Sequence, residues 1–161
     1  MFVDFLGKES SADCMGCSLA SGQYIPPGGI LFKSEYFYVN QDPLIPLNGF
    51  LVIGANRHIQ NISQMSDTEY SDYSKIFRKT KRIIHDICNI ESLTTVQEDY
   101  SIHFHTWFFP WDNKLLKKYK KPSLSFIREI MKGFIGRKLN EKEWIDLKKS
   151  LAEIREELNN E

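Results

Sequence analysis

The alternation of apolar and polar positions predicts strands in the first half of the chain. Residues 30–40 alternate and are rich in aromatic side chains, which is typical of a strand with one buried face. Residues 41–49 contain two prolines and an Asn-Gly dipeptide, which favour a turn, and a continuous apolar run follows at residues 50–53. We therefore expect two adjacent antiparallel strands.

The next segment has helical periodicity. Ser66 and Glu69 have the spacing of a capping box, in which each side chain accepts a hydrogen bond from the backbone of the other residue. Apolar residues then recur every three or four positions up to about Asn89. This pattern predicts one long amphipathic helix, in which Cys88 is a core residue and His85 is structural or exposed.

Two further strands are expected after this helix, at residues 93–97 and 101–109. The second is expected to end at Pro110, because proline lacks the N–H group that a sheet ladder requires. Strands on both sides of a long helix indicate an α+β fold, and we assign it to a domain of residues 1–111.

The composition changes after Trp111, and we expect residues 112–161 to form a basic linker and a C-terminal helical extension. Five lysines lie between positions 114 and 121, ahead of a helical stretch at 123–135. A last helix is expected from about residue 140, with apolar residues at a spacing of three or four. This apolar stripe either packs back onto the domain or pairs with a second copy of the chain in a homodimer.

Length and charge limit the classes of function. A chain of 161 residues with 42% hydrophobic composition can form one compact core. Its 21 basic and 21 acidic residues balance, so the net charge gives no reason to expect nucleic-acid or membrane binding. The lysine-rich segment is better explained as an exposed linker, because few aromatic residues accompany it. The first ten residues are unlike a signal peptide and no long apolar run follows, so we expect a cytoplasmic protein.

The segment His103-Phe104-His105-Thr106-Trp107 carries the first candidate chemistry. In a strand, its two histidines and Trp107 would share one face, with neighbouring members about 6.6 Å apart. Two imidazoles could then line one phosphate-sized site. Without further evidence, a His-x-His pair fits a structural or surface role equally well.

Cys14 and Cys17 have Cys-x-x-Cys spacing, and the chain has only one other cysteine. This small, odd number indicates reduced thiols and not a disulfide framework. Two thiolates with two histidines from elsewhere in the chain would suit tetrahedral zinc. The alternative is a redox pair, but that motif normally opens a helix after a buried strand, whereas here a Gly- and Pro-rich loop follows.

Taken together, the motifs resemble the zinc-containing histidine-triad (HIT) proteins. The resemblance covers roughly residues 14–110 and implies a HIT-like antiparallel sheet with a long packing helix. It does not extend to the C-terminal extension. The segments that carry it are Cys14-Met15-Gly16-Cys17, Tyr38-Val39-Asn40, Gly49-Phe50-Leu51-Val52-Ile53, Arg57-His58-Ile59-Gln60-Asn61 and His103-Phe104-His105-Thr106-Trp107-Phe108-Phe109-Pro110.

The resemblance also implies roles for individual residues. A structural zinc ion would be bound by Cys14, Cys17, His58 and His103. His105 would attack the α-phosphorus of a nucleotide and form a nucleotidyl-histidine, which divides one difficult displacement into two easier ones. Asn40 would bind the ribose hydroxyls, the alternative being a turn residue beside Pro43.

Three departures from the family pattern affect the phosphate site. Trp107 replaces the third histidine, and indole donates one hydrogen bond but cannot relay a proton. Members that resemble galactose-1-phosphate uridylyltransferase also lack this histidine and keep the covalent step. Acidic residues in the segment 98–102 replace the usual phosphate loop, which leaves Gln97 and Ser101 as candidate substrate contacts together with Trp107. Finally, Trp111 stands where an arginine is common.

Three functions are compatible with this resemblance. The first is an enzyme that cleaves a dinucleoside polyphosphate or related nucleotide, or transfers a nucleoside monophosphate from it. The second is a nucleotide-binding or regulatory protein that kept the pocket but lost turnover. The third is an interaction module that acts through the basic run and the last helix.

Overall fold

A five-stranded antiparallel sheet forms the centre of the computed structural model, which describes residues 1–160. A small hairpin of β1 (Phe2–Val3) and β2 (Glu9–Ser10) precedes it. The strands of the main sheet are β3 (Ile30–Lys33), β4 (Phe37–Gln41), β5 (Leu51–Ala55), β6 (Ser92–Gln97) and β7 (His105–Trp111), in the spatial order β3-β4-β5-β7-β6. The structure confirms the predicted α+β fold.

Five α-helices surround this sheet, and a short 3-10 helix lies at Ile62–Gln64. The α-helices are α1 (Met15–Ser21), α2 (Asp67–Cys88), α3 (Asn113–Tyr119), α4 (Leu124–Phe134) and α5 (Glu141–Asn159). Helix α2 is the predicted long packing helix. Its capping box is complete, because the Ser66 side chain accepts from the Glu69 N–H and the Glu69 carboxylate accepts from the Ser66 N–H.

The strand register divides the sheet into two faces with different partners. Val39, Ile53 and Thr106 form one row across the sheet, on the face that α2 covers, and the hydroxyl groups of Tyr73 and Thr106 lie 2.7 Å apart. The adjacent rows belong to the opposite face, because side chains alternate along a strand. Those rows are Tyr38-Gly54-His105 and Asn40-Val52-Trp107.

The C-terminal extension packs on both faces. The apolar stripe of α5 is buried in the core beside α2, at Leu147, Leu151, Ile154 and Leu158. On the opposite face, Ile127 and Ile130 of α4 bury Phe109 and Trp111. The first of the two alternatives for the stripe is therefore correct, since it packs onto its own chain. A domain boundary between residues 111 and 112 stays a prediction, as does a homodimer formed by other surfaces.

Two of the predicted strands are wrong in extent. The run 30–40 is divided at Ser34, whose side-chain oxygen accepts the N–H groups of Tyr36 and Phe37 and forms a turn. The strand expected from residue 101 begins only at His105, and it continues through Pro110. Beyond Trp107 it pairs with β6 alone, so proline is tolerated there.

The lysine-rich segment predicted to be a linker is in fact helical in its first part, where it forms α3. Asp112 caps this helix, its carboxylate accepting the N–H of Leu115 at 2.8 Å. Among the helices of residues 1–160, none combines the length and hydropathy that crossing a membrane requires.

Candidate metal and nucleotide site

Two thiols and two imidazoles from distant parts of the chain meet at one end of the interior strands β5 and β7. Cys14 and Cys17 lie at the start of α1, His58 follows β5, and His103 precedes β7. Their potential ligand atoms all lie within 4.8 Å of one another. None of the three cysteines forms a disulfide.

The separations between these atoms fit a tetrahedral ion. With metal–sulfur bonds of about 2.3 Å and metal–nitrogen bonds of about 2.0 Å, tetrahedral sulfur and nitrogen ligands lie about 3.5 Å apart. The Nδ1 atom of His103 is 3.4 Å from the Sγ atom of Cys14 and 3.5 Å from that of Cys17. For His58 Nδ1 the two distances are 3.7 and 3.1 Å. The four side chains therefore need little rearrangement to hold an ion.

His103 is fixed in the tautomer that such a site requires. Its Nε2 atom lies 2.7 Å from the carbonyl oxygen of Ala55, so Nε2–H donates and Nδ1 keeps its lone pair towards the thiols. Burial lowers the pKa of His103, which also favours the neutral imidazole that binds metals. Burial and the neighbouring Cys14 raise the pKa of Cys17, so its thiolate needs a nearby cation.

The Cys-x-x-Cys segment begins a helix that the sequence analysis did not predict, and the Gly- and Pro-rich loop follows this helix. Cys14 is the N-cap of α1, and its sulfur accepts the N–H of Cys17 at 3.4 Å. The sequence-based argument against a redox pair, that the motif opens no helix, therefore does not hold. The position of the two imidazoles argues against such a pair instead, because both Nδ1 atoms face the thiols within 3.7 Å.

The backbone carbonyl of His103 orients the imidazole of His105. Its Nδ1 atom lies 3.0 Å from the carbonyl oxygen of His103, so Nδ1–H donates and Nε2 carries the free lone pair. The imidazole is partly exposed on the face that α2 does not cover. It can therefore act as a nucleophile towards a bound electrophile.

Asn40 lies one row from His105 on the same face and is 1% exposed. Its side-chain amide donates to the carbonyl of Gln41 at 2.7 Å, while its Oδ1 atom is buried without a hydrogen-bond partner within the described chain. A buried acceptor without a donor is unfavourable by about 1–3 kcal/mol, so this oxygen is a candidate contact for a ligand hydroxyl.

Of the other candidate substrate contacts, Ser101 and Gln97 lie in different parts of the structure. Ser101 lies near His105, since its hydroxyl donates to the same His103 carbonyl, at 2.8 Å. Gln97 pairs with Thr106, which puts it on the α2 side of the sheet, and its amide donates to Asp99. The structure thus brings Ser101 to the His105 site but does not bring Gln97 there.

Trp107 follows His105 along the same face and is partly buried. Its ring packs against Phe50 with centroids 5.5 Å apart and an angle of 62° between the planes. It borders the apolar cluster that α4 forms on this face. The third position of the motif is therefore part of an aromatic wall.

Several features of the site were missed in the sequence. At Gly16, a Cβ atom would lie 2.3 Å from the His103 ring, and at Gly54 it would lie 2.2 Å from the ring of Tyr38. Burial raises the pKa of Asp42 to about 6; the N–H groups of Leu44 and Ile45 and the charge of His105 limit this rise. Gly16 lies inside a recognised motif and Gly54 directly follows one, but only the packed structure shows which rings they accommodate.

Comparison with protein-family models and with curated protein sequences finds no match. Solved structures do match. A hypothetical histidine triad nucleotide-binding protein from Sulfolobus tokodaii is 15% identical with a TM-score of 0.64, over 89% of this chain and 92% of that one. A HIT-like protein involved in cell-cycle regulation from Bartonella henselae is 9% identical with a TM-score of 0.65, over 93% and 99%.

A Zn-bound histidine triad family protein from Mycobacterium smegmatis also matches, at 13% identity and a TM-score of 0.57, over 89% of this chain and 96% of that one. These coverages extend across nearly all of each chain. The protein described here therefore has the histidine-triad fold.

Proposed function

We propose that this protein is a nucleotide hydrolase or nucleotidyltransferase that acts on a dinucleoside polyphosphate or related nucleotide through a covalent intermediate on His105. The orientation of His105 carries this proposal. Because Nδ1–H is bonded to the His103 carbonyl, the free Nε2 lone pair remains available on the sheet face opposite α2, where the imidazole is partly exposed.

The reaction would occur in two displacements. In the first, Nε2 of His105 bonds to the α-phosphorus, and the P–O bond to the rest of the polyphosphate breaks. In the second, water or another acceptor attacks the same phosphorus and the P–N bond breaks. With water, hydroxide is added to phosphorus, one proton is released and the imidazole is restored.

Nucleotide binding is supported by the row that contains Asn40. Its unpaired Oδ1 atom can accept a hydrogen bond from a ribose hydroxyl, which would relieve the cost of burying it. Asn40 and Trp107 are joined across β5 by Val52, so a ribose at Asn40 would lie on the same face as the nucleophile. Ser101 would supply a further polar contact near the phosphate.

A structural zinc ion is the cofactor that the four ligands Cys14, Cys17, His58 and His103 would hold. Two sulfur and two nitrogen donors form a closed tetrahedral set, with no position left for substrate. Such an ion would contribute folding energy and fix the α1 segment against His103. The chemistry on the nucleotide would then belong to His105.

His105→Ala tests the nucleophile, and His85→Ala is its matched control. Incubation with α-³²P-labelled diadenosine tetraphosphate, followed by denaturation in alkali, should leave a label that is alkali-stable and acid-labile on wild type and His85→Ala but not on His105→Ala. His85 is exposed on α2, on the other side of the sheet. Equal labelling of all three proteins would remove His105 from the mechanism; equal zinc content would show that the variants retain their fold.

A second candidate is a nucleotide-binding or regulatory protein without turnover, and the packed indole of Trp107 favours it. That function predicts nucleotide binding in calorimetry, with no labelled histidine and no released product from any nucleotide supplied.

A further inference from the structure

Trp107 lies next to His105 on the same face of β7, on one side of the phosphorus that His105 would attack. Trp107 follows His105 by two positions on one face of β7, at about 6.8 Å along the strand. A nucleophile starts about 3–3.5 Å from the atom that it attacks, and in a phosphoanhydride the bridging oxygen lies one bond beyond the phosphorus. A substrate whose bridging atom points along β7 from His105 towards Trp107 would therefore bring that atom within reach of the side chain at position 107.

The indole is held in this position on several sides. Val52 and Val96 lie opposite Trp107 on the two neighbouring strands. Phe50 packs against its ring at 5.5 Å, and the cluster that includes Ile127 and Ile130 of α4 continues this packing. Moving the ring away would break up an aromatic and aliphatic cluster. A leaving group on this side of the phosphorus would therefore meet a group that has an N–H to donate but no proton to release.

The chain has no spare histidine that could take over as an acid. It contains four histidines, of which His58 and His103 belong to the metal cluster and His105 is the nucleophile. The fourth, His85, is exposed on α2 on the opposite side of the sheet.

Burial raises the pKa of Asp42 to about 6, and the N–H groups of Leu44 and Ile45 and the charge of His105 limit this rise. The Oδ1 atom of Asp42 already accepts two backbone N–H groups, from Leu44 and Ile45, both at 2.8 Å. It lies beyond the end of β4 and so further from the nucleophile along the sheet than the Asn40-Trp107 row.

From this arrangement we infer that the site accepts substrates whose leaving group departs as a stable anion, namely nucleoside polyphosphates, and discriminates against phosphoramidates and against esters of weakly acidic alcohols. The inference rests on the proposed function. When an anhydride reacts, the electron pair of the broken P–O bond stays on the terminal phosphate of the leaving nucleotide. A phosphate group has a second pKa near 6, so it needs no proton at neutral pH. An amine must take up a proton as its P–N bond breaks, and a general acid typically contributes about 10²–10⁴-fold to such a step.

The test compares substrates that share one adenylyl group: diadenosine tetraphosphate, adenosine 5′-phosphoramidate, and the 4-nitrophenyl and phenyl esters of adenosine 5′-monophosphate. A parallel guanosine series covers the other purine. Wild type should show kcat/KM values at least about 100-fold higher for the anhydride than for the phosphoramidate, and higher for the nitrophenyl than for the phenyl ester. Trp107→His should narrow both ratios by tenfold or more, whereas Trp107→Phe should leave both ratios as in wild type.

The outcomes separate this inference from the function on which it rests. Phosphoramidate cleavage by wild type within tenfold of the anhydride would overturn the inference while the covalent mechanism stands. Ratios that narrow equally in Trp107→His and Trp107→Phe would also overturn it, since ring size and not proton donation would then set the selectivity. Failure of the proposed function itself would appear as no turnover of any probe, including the nitrophenyl ester, and no labelled His105.

Discussion

At the scale of single residues, the cluster of four predicted zinc ligands requires a residue without a side chain at position 16. Gly16 lies in the first turn of α1, between the two thiols, and the ring of His103 occupies the space that a side chain would need. His103 cannot retreat easily, because its Nε2 atom is bonded to Ala55. The spacing Cys-x-Gly-Cys thus matters as much for packing as for ligand placement.

Gly16→Ala should therefore lower both metal content and stability. The new Cβ atom would lie 2.3 Å from Cγ of His103, so the ring or the helix must move, at a cost of about 1–3 kcal/mol. Gly133→Ala is the matched control, since it is also helical and has nothing within 4 Å of its Cβ position. The control should be stabilised by up to about 1 kcal/mol.

Zinc per chain by plasma mass spectrometry and thermal unfolding would measure both variants. A Gly16→Ala protein with one zinc ion and an unchanged melting temperature would show that the cluster tolerates a displaced His103.

At the scale of elements, the loop that carries His58 is tied to helix α2. Arg57 donates two hydrogen bonds to the Glu69 carboxylate, at 2.5 and 2.8 Å, and a third to the carbonyl of Gln64. Glu69 is also the last member of the α2 capping box. One carboxylate therefore starts the helix and fixes the segment next to a predicted metal ligand.

This arrangement gives Glu69→Gln a pH-dependent effect. The hydrogen bonds from Arg57 lower the pKa of Glu69 to about 2, below its value of about 4.3 in an unfolded chain. Its stabilising contribution is therefore present above about pH 4 and is lost as the pH falls through 2. Since Arg57 is half-exposed, we expect a loss of only about 1–2 kcal/mol at pH 7.

Urea unfolding between pH 2.5 and 7 would measure the difference between wild type and variant, which should shrink towards acid. Glu153→Gln, an exposed position on α5, should show almost no difference at any pH. A constant difference for Glu69→Gln would assign its effect to the neutral capping interaction and not to the ion pair.

The elements that the sequence predicts well are those with local signals. Ser66 with Glu69 and Asn140 with Glu143 mark the starts of α2 and α5, because a capping box involves only four consecutive residues. The late start of β7 has a long-range cause, since the Phe104 N–H donates to the carbonyl of Ile59.

The candidate site likewise contains some residues that the sequence identifies and others whose position depends on long-range packing. The resemblance pointed to the four clustered side chains, which the structure brings together. It could not place Gln97 on its correct face, because a register error of one residue moves a side chain through the sheet. The clearance at Gly54 depends on the ring of Tyr38 from a neighbouring strand, which no local pattern reveals.

At the scale of the whole molecule, the last helix completes the core. Leu151 is 1% exposed and lies over Gly28, where an added Cβ atom would come within 2.5 Å of its Cδ1 atom. Asn159 donates to the carbonyl of Leu31, which joins the end of α5 to an edge strand. The extension therefore shares a hydrophobic core with the sheet.

Leu151→Ala should destabilise the protein by about 2–5 kcal/mol, because it leaves a cavity in a tightly packed region. Ile145→Ala, at a position 52% exposed on the same helix, should change stability by less than about 0.5 kcal/mol. Urea unfolding gives both values, and size-exclusion chromatography gives the mass. A lower oligomeric mass for Leu151→Ala at unchanged stability would mean that the stripe serves association in solution.

His103 takes part in both halves of the site through different atoms. Its imidazole belongs to the metal cluster, and its backbone carbonyl accepts the hydrogen bond that orients His105. The two equilibria that we propose, zinc binding and nucleotide binding, therefore share a residue, and any coupling free energy between them must be reciprocal. If filling the cluster tightens nucleotide binding by some factor, bound nucleotide tightens the hold on the ion by the same factor. Nucleotide supply would then influence how readily the protein surrenders its metal to a competing chelator.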